Sequence, residues 1–187
     1  MASETIKFDG VQLLRNRESN GPGDNPKRFS NFGGKMIDNG RFKSNARYFN
    51  IRVPNEMVPL LKAKNIAMWN PGEPDEDGNL VYMVQIDIST VKATSERPEE
   101  LRCQAYLVNE NNKRSVLDAN TIGLIDGTKK DINIKCVNVS CGITEKQNDA
   151  GRYKLWANVI YFFKAPSYTD PWESEYKDDD DDAPFDT

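Results

Sequence analysis

Tyr153-Lys154-Leu155-Trp156-Ala157-Asn158-Val159-Ile160-Tyr161-Phe162-Phe163 runs eleven residues without a glycine or a proline. Tyr153, Leu155, Ala157, Val159, Tyr161 and Phe163 alternate with Lys154, Trp156, Asn158, Ile160 and Phe162, a period of two that belongs to a β-strand. Both sets are largely apolar or aromatic. One face of such a strand fills a core, and the other is covered or binds something.

Working back along the chain, Ile132, Ile134 and Cys136 form one face of another strand. Its apolar phase then shifts to Val137, Val139 and Cys141, as a bulge produces. Arg102 to Val108 and Arg114 to Leu117, separated by Asn109-Glu110-Asn111-Asn112, read as a hairpin, with a short helical turn over 118–126. Tyr82, Val84, Ile86 and Ile88 alternate with Met83, Gln85, Asp87 and Ser89 in a half-buried strand. Before it lies an acidic loop, Asn70 to Gly78. Ile66 to Trp69 forms a brief strand.

Asn45 to Val53 reads as a strand carrying Tyr48-Phe49 and Ile51. Pro54 suits the first position of a helix, and Met57, Val58, Leu60 and Leu61 follow at helical spacing to about Lys64. Phe29-Ser30-Asn31-Phe32 is strand-like and leads through Gly33-Gly34 to Met36-Ile37, with a turn at Asp38-Asn39-Gly40. Met1 to Leu14 holds a short strand or an ordered arm, and residues 19–26 break any regular element. The expected fold is mainly β, with one short α-helix. It is either a small closed or partly open antiparallel barrel or a sandwich. Residues 27–165 form the domain, 1–26 an N-terminal arm and loop, and 166–187 a disordered acidic tail.

The formal net charge is −4. From Ser167 onward nine acids stand against one lysine, so the body carries 24 basic and 20 acidic residues, net +4. Asp178 to Asp182 is an unbroken acidic run followed by Ala183-Pro184-Phe185-Asp186-Thr187, and five adjacent carboxylates repel each other too strongly to be buried together. Such a tail can compete with another polyanion for the body's basic surface, or offer Phe185 to a partner's pocket.

No histidine occurs in the chain. That removes the usual general base and the usual activator of serine or cysteine nucleophiles, and the expectation is a protein that is not an enzyme. Cys103, Cys136 and Cys141 include no Cys-x-x-Cys pair and read as reduced, mostly buried thiols, with no metal and no cofactor. No apolar stretch is long enough to span a bilayer, and Met1-Ala2-Ser3-Glu4 opens no signal-peptide pattern. A soluble, intracellular protein is expected, cytoplasmic and with no membrane partner.

The strongest constellation lies between Lys27 and Arg52. Lys27, Arg28, Lys35, Arg41, Lys43, Arg47 and Arg52 face Asp38 alone, interleaved with Phe29, Phe32, Phe42, Tyr48 and Phe49. Cations that track phosphates and rings that stack on splayed bases are what single-stranded nucleic acid requires. Arg41, Lys43 and Arg47 are the leading phosphate contacts, with Phe42 and Tyr48 as stacking residues. Phe29, Phe32 and Phe49 are better placed in the core. Trp156, between Lys154 and Asn158, suits an exposed binding face, whereas Trp69, ending a short apolar run, is expected inside. Gly33-Gly34-Lys35 lacks the rest of a nucleotide-binding loop, Asp75-Glu76-Asp77 lacks metal-site spacing, and Asp87 has no second acid and lysine to make a nuclease centre.

Three stretches together resemble the single-stranded DNA-binding proteins of tailed bacteriophages. They are Arg28-Phe29-Ser30 through Tyr48-Phe49-Asn50-Ile51 into the helix, Ile66 to Trp69 followed by Tyr82-Met83-Val84-Gln85-Ile86, and Asp178 to Phe185. The resemblance implies an OB-fold, here elaborated because the helix falls early, and sequence-independent coating of single-stranded DNA in phage replication or recombination. It also implies a tail, Asp178, Asp179, Asp180, Asp181, Asp182 and Phe185, that recruits replication or recombination proteins, and it leaves a homo-oligomer open. In the family pattern phenylalanine usually ends the chain, whereas here Asp186-Thr187 follow it. The competing reading is a structural or protein-interaction module, such as a virion component, that binds no nucleic acid.

Overall fold

The computed structural model of this chain describes residues 4–16, 21–23, 29–38, 43–70, 78, 81–126 and 133–165. The strands are β1 (Thr5–Val11), β2 (Ile37–Asp38), β3 (Lys43–Ser44), β4 (Arg47–Arg52), β5 (Met83–Ile88) and β6 (Thr90–Val91). They continue as β7 (Glu100–Leu101), β8 (Gln104–Val108), β9 (Arg114–Leu117), β10 (Ile134–Ile143) and β11 (Leu155–Lys164). One α-helix, α1 (Val58–Ala63), follows a 3-10 turn at Asn55–Met57. The expected mainly β fold with one short helix is what the described residues adopt.

Seven strands share a sheet in the order β1-β10-β11-β5-β4, and β8, which carries β9, also pairs with β11. The strand directions are mixed rather than wholly antiparallel. β11 runs parallel to β5 through Leu155↔Ile86 and Trp156↔Asp87, and parallel to β8 from Val159↔Gln104 to Phe163↔Val108. Its other edge pairs antiparallel with β10. The hairpin β8–β9 lies where the sequence places it.

The sheet does not close through strand ladders, but its two ends meet. Gly10 takes a left-handed φ of 64° and donates its N–H to Asn138 Oδ1 at 2.7 Å, and the β1 register shifts between Phe8 and Val11. A glycine bulge bends a strand in this way. The chain beyond it crosses to β4: Leu14 N donates to Asn50 O and Arg52 N to Gln12 O, both at 3.0 Å, flanking a Leu13↔Ile51 bridge. The segment placed ahead of the domain from sequence is therefore a full strand of its sheet, burying Ile6, Phe8 and Val11.

The core lies on the inner face. Phe32, Phe49 and Phe162 meet at ring separations of 5.2, 5.3 and 6.5 Å, and Ile51, Ile86, Leu155 and Ile160 are fully buried with them. Each such side chain contributes roughly 1.5–3 kcal/mol through burial. The alternation expected along β11 breaks in its middle. Ser140 pairs with Val159 and Cys141 with Ala157, so Asn158 is an extra residue. Leu155 and Ala157 face inward before this bulge and Ile160 and Phe162 after it, leaving Tyr161 and Phe163 on the outer face.

Helix α1 buries Leu61 completely but leaves Leu60 exposed, since a six-residue helix presents only one narrow face to the sheet. It ends on Asn65 at φ 58°, with Asn65 N bonded to Lys62 O and Ile66 N to Leu61 O. That is the Schellman arrangement, with asparagine in place of the usual glycine. Ile66 and Trp69 make single bridges, to Tyr153 and Met83, rather than the short strand expected there.

Phe29–Phe32 forms no strand either. Phe29 and Ser30 donate their N–H groups to Asn16 Oδ1, and Phe32 and Gly33 donate theirs to Asp126. Side chains from distant segments thus take the hydrogen bonds that a ladder would use.

Arg47 corrects a sequence expectation. It is 8 % exposed, and its guanidinium donates to Phe32 O at 2.6 Å, to Ala119 O at 3.0 Å and to Glu99 Oε1 at 2.5 Å. A buried cation with every near neighbour satisfied ties three loops together and has no surface to offer a phosphate. Glu99 is held below its usual carboxylate range, first by the hydrogen bond from Arg47. The stability this adds is complete above the unfolded glutamate range and is lost as pH falls through the lower folded value. Arg47→Met is expected to lower unfolding stability by about 3 kcal/mol, because it orphans two carbonyls and an acid. Urea denaturation checks this, and Glu99→Gln should converge on the parent as the pH is lowered below about 4.

Candidate nucleic-acid interface

Residues paired across neighbouring strands point to the same face. Tyr48 pairs with Asp87, Asp87 with Trp156, and Trp156 with Gly142, so these four form a row across the outer face of β4, β5, β11 and β10. Tyr48 and Trp156 are two strands apart, about 10 Å. Beside that row, Asn50 pairs with Gln85 and Arg52 with Met83. Strand β4 thus sets Tyr48, Asn50 and Arg52 on the side opposite Phe49 and Ile51, with Tyr48 and Arg52 half-buried and Asn50 covered.

Trp69 joins the same surface. It bridges to Met83, is 43 % exposed, and donates its indole N–H to Asn50 Oδ1 at 3.2 Å. Phe29 stacks against it at 6.2 Å and 20° between planes. The hydrogen bond and the ring contact fix the indole while leaving much of it accessible.

Trp156 is 37 % exposed and its indole packs against the backbone of Gly142. A Cβ at residue 142 would fall 2.4 Å from Trp156 Cζ2, so the glycine provides the floor on which the ring rests. Asp87 is the one acid in the row. Lys154 Nζ lies 3.0 Å from its carboxylate, and Gln85 Nε2 donates to it, also at 3.0 Å. The ion pair offsets the one negative charge of the row.

The structure thus brings Tyr48, Arg52 and Trp156 together and removes Arg47. Lys35 is exposed on the loop that follows Phe32. Lys43 lies in β3, which pairs with β2. Lys27, Arg28, Arg41 and Phe42 lie outside the described residues, as does the tail with Asp178 to Asp182 and Phe185.

Trp69, expected in the core, is the main residue that sequence reasoning misplaced. The signal for its exposure is the alternation starting at Ile66: Ile66 is buried and Met68 packs on the core, which turns Trp69 outward.

Two of the three thiols are buried, as the sequence suggests. Cys103 and Cys141 are buried, which pushes their pKa values up to about 11 and about 12, while Cys136 is half-buried. Among the described residues no three His, Cys, Asp or Glu side chains gather as for a metal ion. No helix among them is long and apolar enough to cross a membrane.

No protein-family model matches the chain, and no curated protein matches it. Among solved structures it is similar to gp2.5, a single-stranded DNA-binding protein encoded by bacteriophage T7. The match covers 95 % of this chain and 99 % of that one, at 12 % identity and a TM-score of 0.40.

Gly142→Ala is expected to tilt the Trp156 ring off the sheet. In a background with Trp69 and Trp172 changed to Phe, its emission should shift to the red and its acrylamide quenching should rise. An unchanged spectrum would mean that the ring does not rest on Gly142.

Proposed function

We propose that the chain is a non-catalytic protein that binds single-stranded DNA without regard to sequence, on the outer face of β4, β5 and β11. One observation carries this reading. Two accessible indoles, Trp69 and Trp156, and the phenol of Tyr48 sit on one β-face with Arg52, while a separate set of aromatics fills the core. A globular domain has no packing need for that second set. Bases stacked on such rings gain roughly 1–3 kcal/mol each, and cations along the path release counterions from the phosphates.

The basic residues of 27–43 extend the path in this reading. The acidic tail occupies the face when DNA is absent, and DNA displaces it, freeing Phe185 for replication or recombination partners. Coating of replicating or recombining phage DNA is the role that this combination suits.

Titrating the chain with labelled single-stranded and duplex oligonucleotides tests the reading. Single strands should bind far more tightly than duplex, and affinity should fall steeply with salt. Trp156→Ala and Trp69→Ala should each weaken binding by about 1–3 kcal/mol. Equal affinity for duplex, or wild-type affinity in both variants, would remove the reading. Deleting residues 167–187 should tighten binding most at low salt, and unchanged affinity would exclude competition by the tail.

A further inference from the structure

After the bulge at Asn158, β11 keeps presenting side chains on the same outer face as Trp156. Gly142, Ser140, Asn138 and Cys136 of β10 pair in turn with Trp156, Val159, Tyr161 and Phe163, so these four β11 residues share one side. Tyr161 pairs with Tyr106 of β8, and the two rings stack at 5.2 Å and 17°. Arg114 of β9 lies 5.1 Å from the Tyr161 centroid and 6.0 Å from that of Tyr106.

Beyond the tyrosines the face opens into a cavity of about 470 Å³, whose lining includes Val108, Cys136 and Phe163 together with Lys135 and Lys164. That size lies within the range of small-molecule sites. Lys135 is the extra residue in β10 where Ile134 pairs with Lys164 and Cys136 with Phe163, so the bulge directs an additional cation to the rim. Among the described residues neither lysine makes a side-chain ion pair or hydrogen bond, while Glu110 is the one acid on the rim. Exposed Lys7, opposite Ser140 on β1, lies between this end and Trp156.

We infer that this half of β11 is a second nucleotide-binding station. Tyr161 and Tyr106, capped by Arg114, form a stacking platform, and the Phe163 cavity takes one nucleotide, with its base on the ring and its phosphate between Lys135 and Lys164. Trp156 and Phe163 are about 20 Å apart along the strand. A single strand therefore runs lengthwise along β11, and Lys7 contacts the phosphates between the stations. This rests on the proposed single-strand binding, whose first station lies around Tyr48, Trp69 and Trp156.

The test uses the full chain, its Lys135→Gln/Lys164→Gln double variant and Trp156→Ala, titrated with oligothymidylates of about 4 and about 16 nucleotides, the span of sites on such folds. Both lysines are at the surface, so the double variant should keep the parent's unfolding midpoint. It should bind the long oligonucleotide several-fold more weakly and lose about 1.4 from its log–log salt slope, about 0.7 for each cation. Its affinity for the short one should stay at the parent value, while Trp156→Ala weakens both.

Parent-like binding of the long oligonucleotide by the double variant would overturn the second station and leave the first intact. Equal weakening at both lengths would also overturn it, because that is the mark of a diffuse charge effect. Failure of the parent to bind either length would overturn the underlying reading together with this one.

Discussion

One extra residue, Asn158, governs how this sheet is organised. It changes the phase of β11, so Leu155 and Ala157 before it and Ile160 and Phe162 after it all reach the same core. The strand exchanges its parallel partner at the same place, with β5 alongside Leu155–Trp156 and β8 alongside Val159–Phe163. A bulge costs local ladder hydrogen bonds and adds twist. Here it lets one ten-residue strand serve two halves of a sheet while keeping Trp156, Tyr161 and Phe163 on the solvent side.

Strand β4 shows the same economy on a smaller scale. Inward, Arg47 holds the carbonyls of Phe32 and Ala119 and the carboxylate of Glu99, and Phe49 and Ile51 pack the core. On its other side the strand carries half-buried Tyr48 and Arg52 and the covered Asn50. The loop fastened by Arg47 and Asp126 also carries Phe29, which stacks on Trp69. Phe29 itself is held by Asn16, which accepts its N–H, and by Asn50, whose amide donates to its carbonyl. For the proposed single-strand binding, rings held in advance in this way would reduce the ordering entropy of association.

Much of the fold is legible in the sequence where pattern and burial coincide. The Tyr82–Ile88 alternation, the Arg102–Leu117 hairpin, the helix after Pro54 and the bulge near Cys136 all show because apolar and polar residues exchange places there. The bulge in β11 is invisible for the opposite reason. Ile160 and Phe162 are as apolar as Tyr161 and Phe163, so neither phase stands out. Arg47 looks like any other cation of a basic segment, since its acid lies 52 residues away. Phe29–Phe32 has strand-like composition, and only the distant Asn16 and Asp126 divert its hydrogen bonds. Of the candidate interface, Tyr48, Arg52 and Trp156 were accessible to pattern reasoning. Trp69 required the alternation from Ile66 to be followed to its end.

Photocross-linking of a single-stranded oligonucleotide carrying 5-iodouracil, followed by peptide mapping, addresses the central claim most directly, because it reports which rings lie against bases. Cross-links at Trp69, Trp156 and Tyr48 are expected, suppressed by high salt and absent from the buried aromatics Phe32, Phe49 and Phe162. Cross-links confined to other surfaces, or none under conditions where the oligonucleotide is bound, would contradict the assignment of this outer β-face as the single-strand interface.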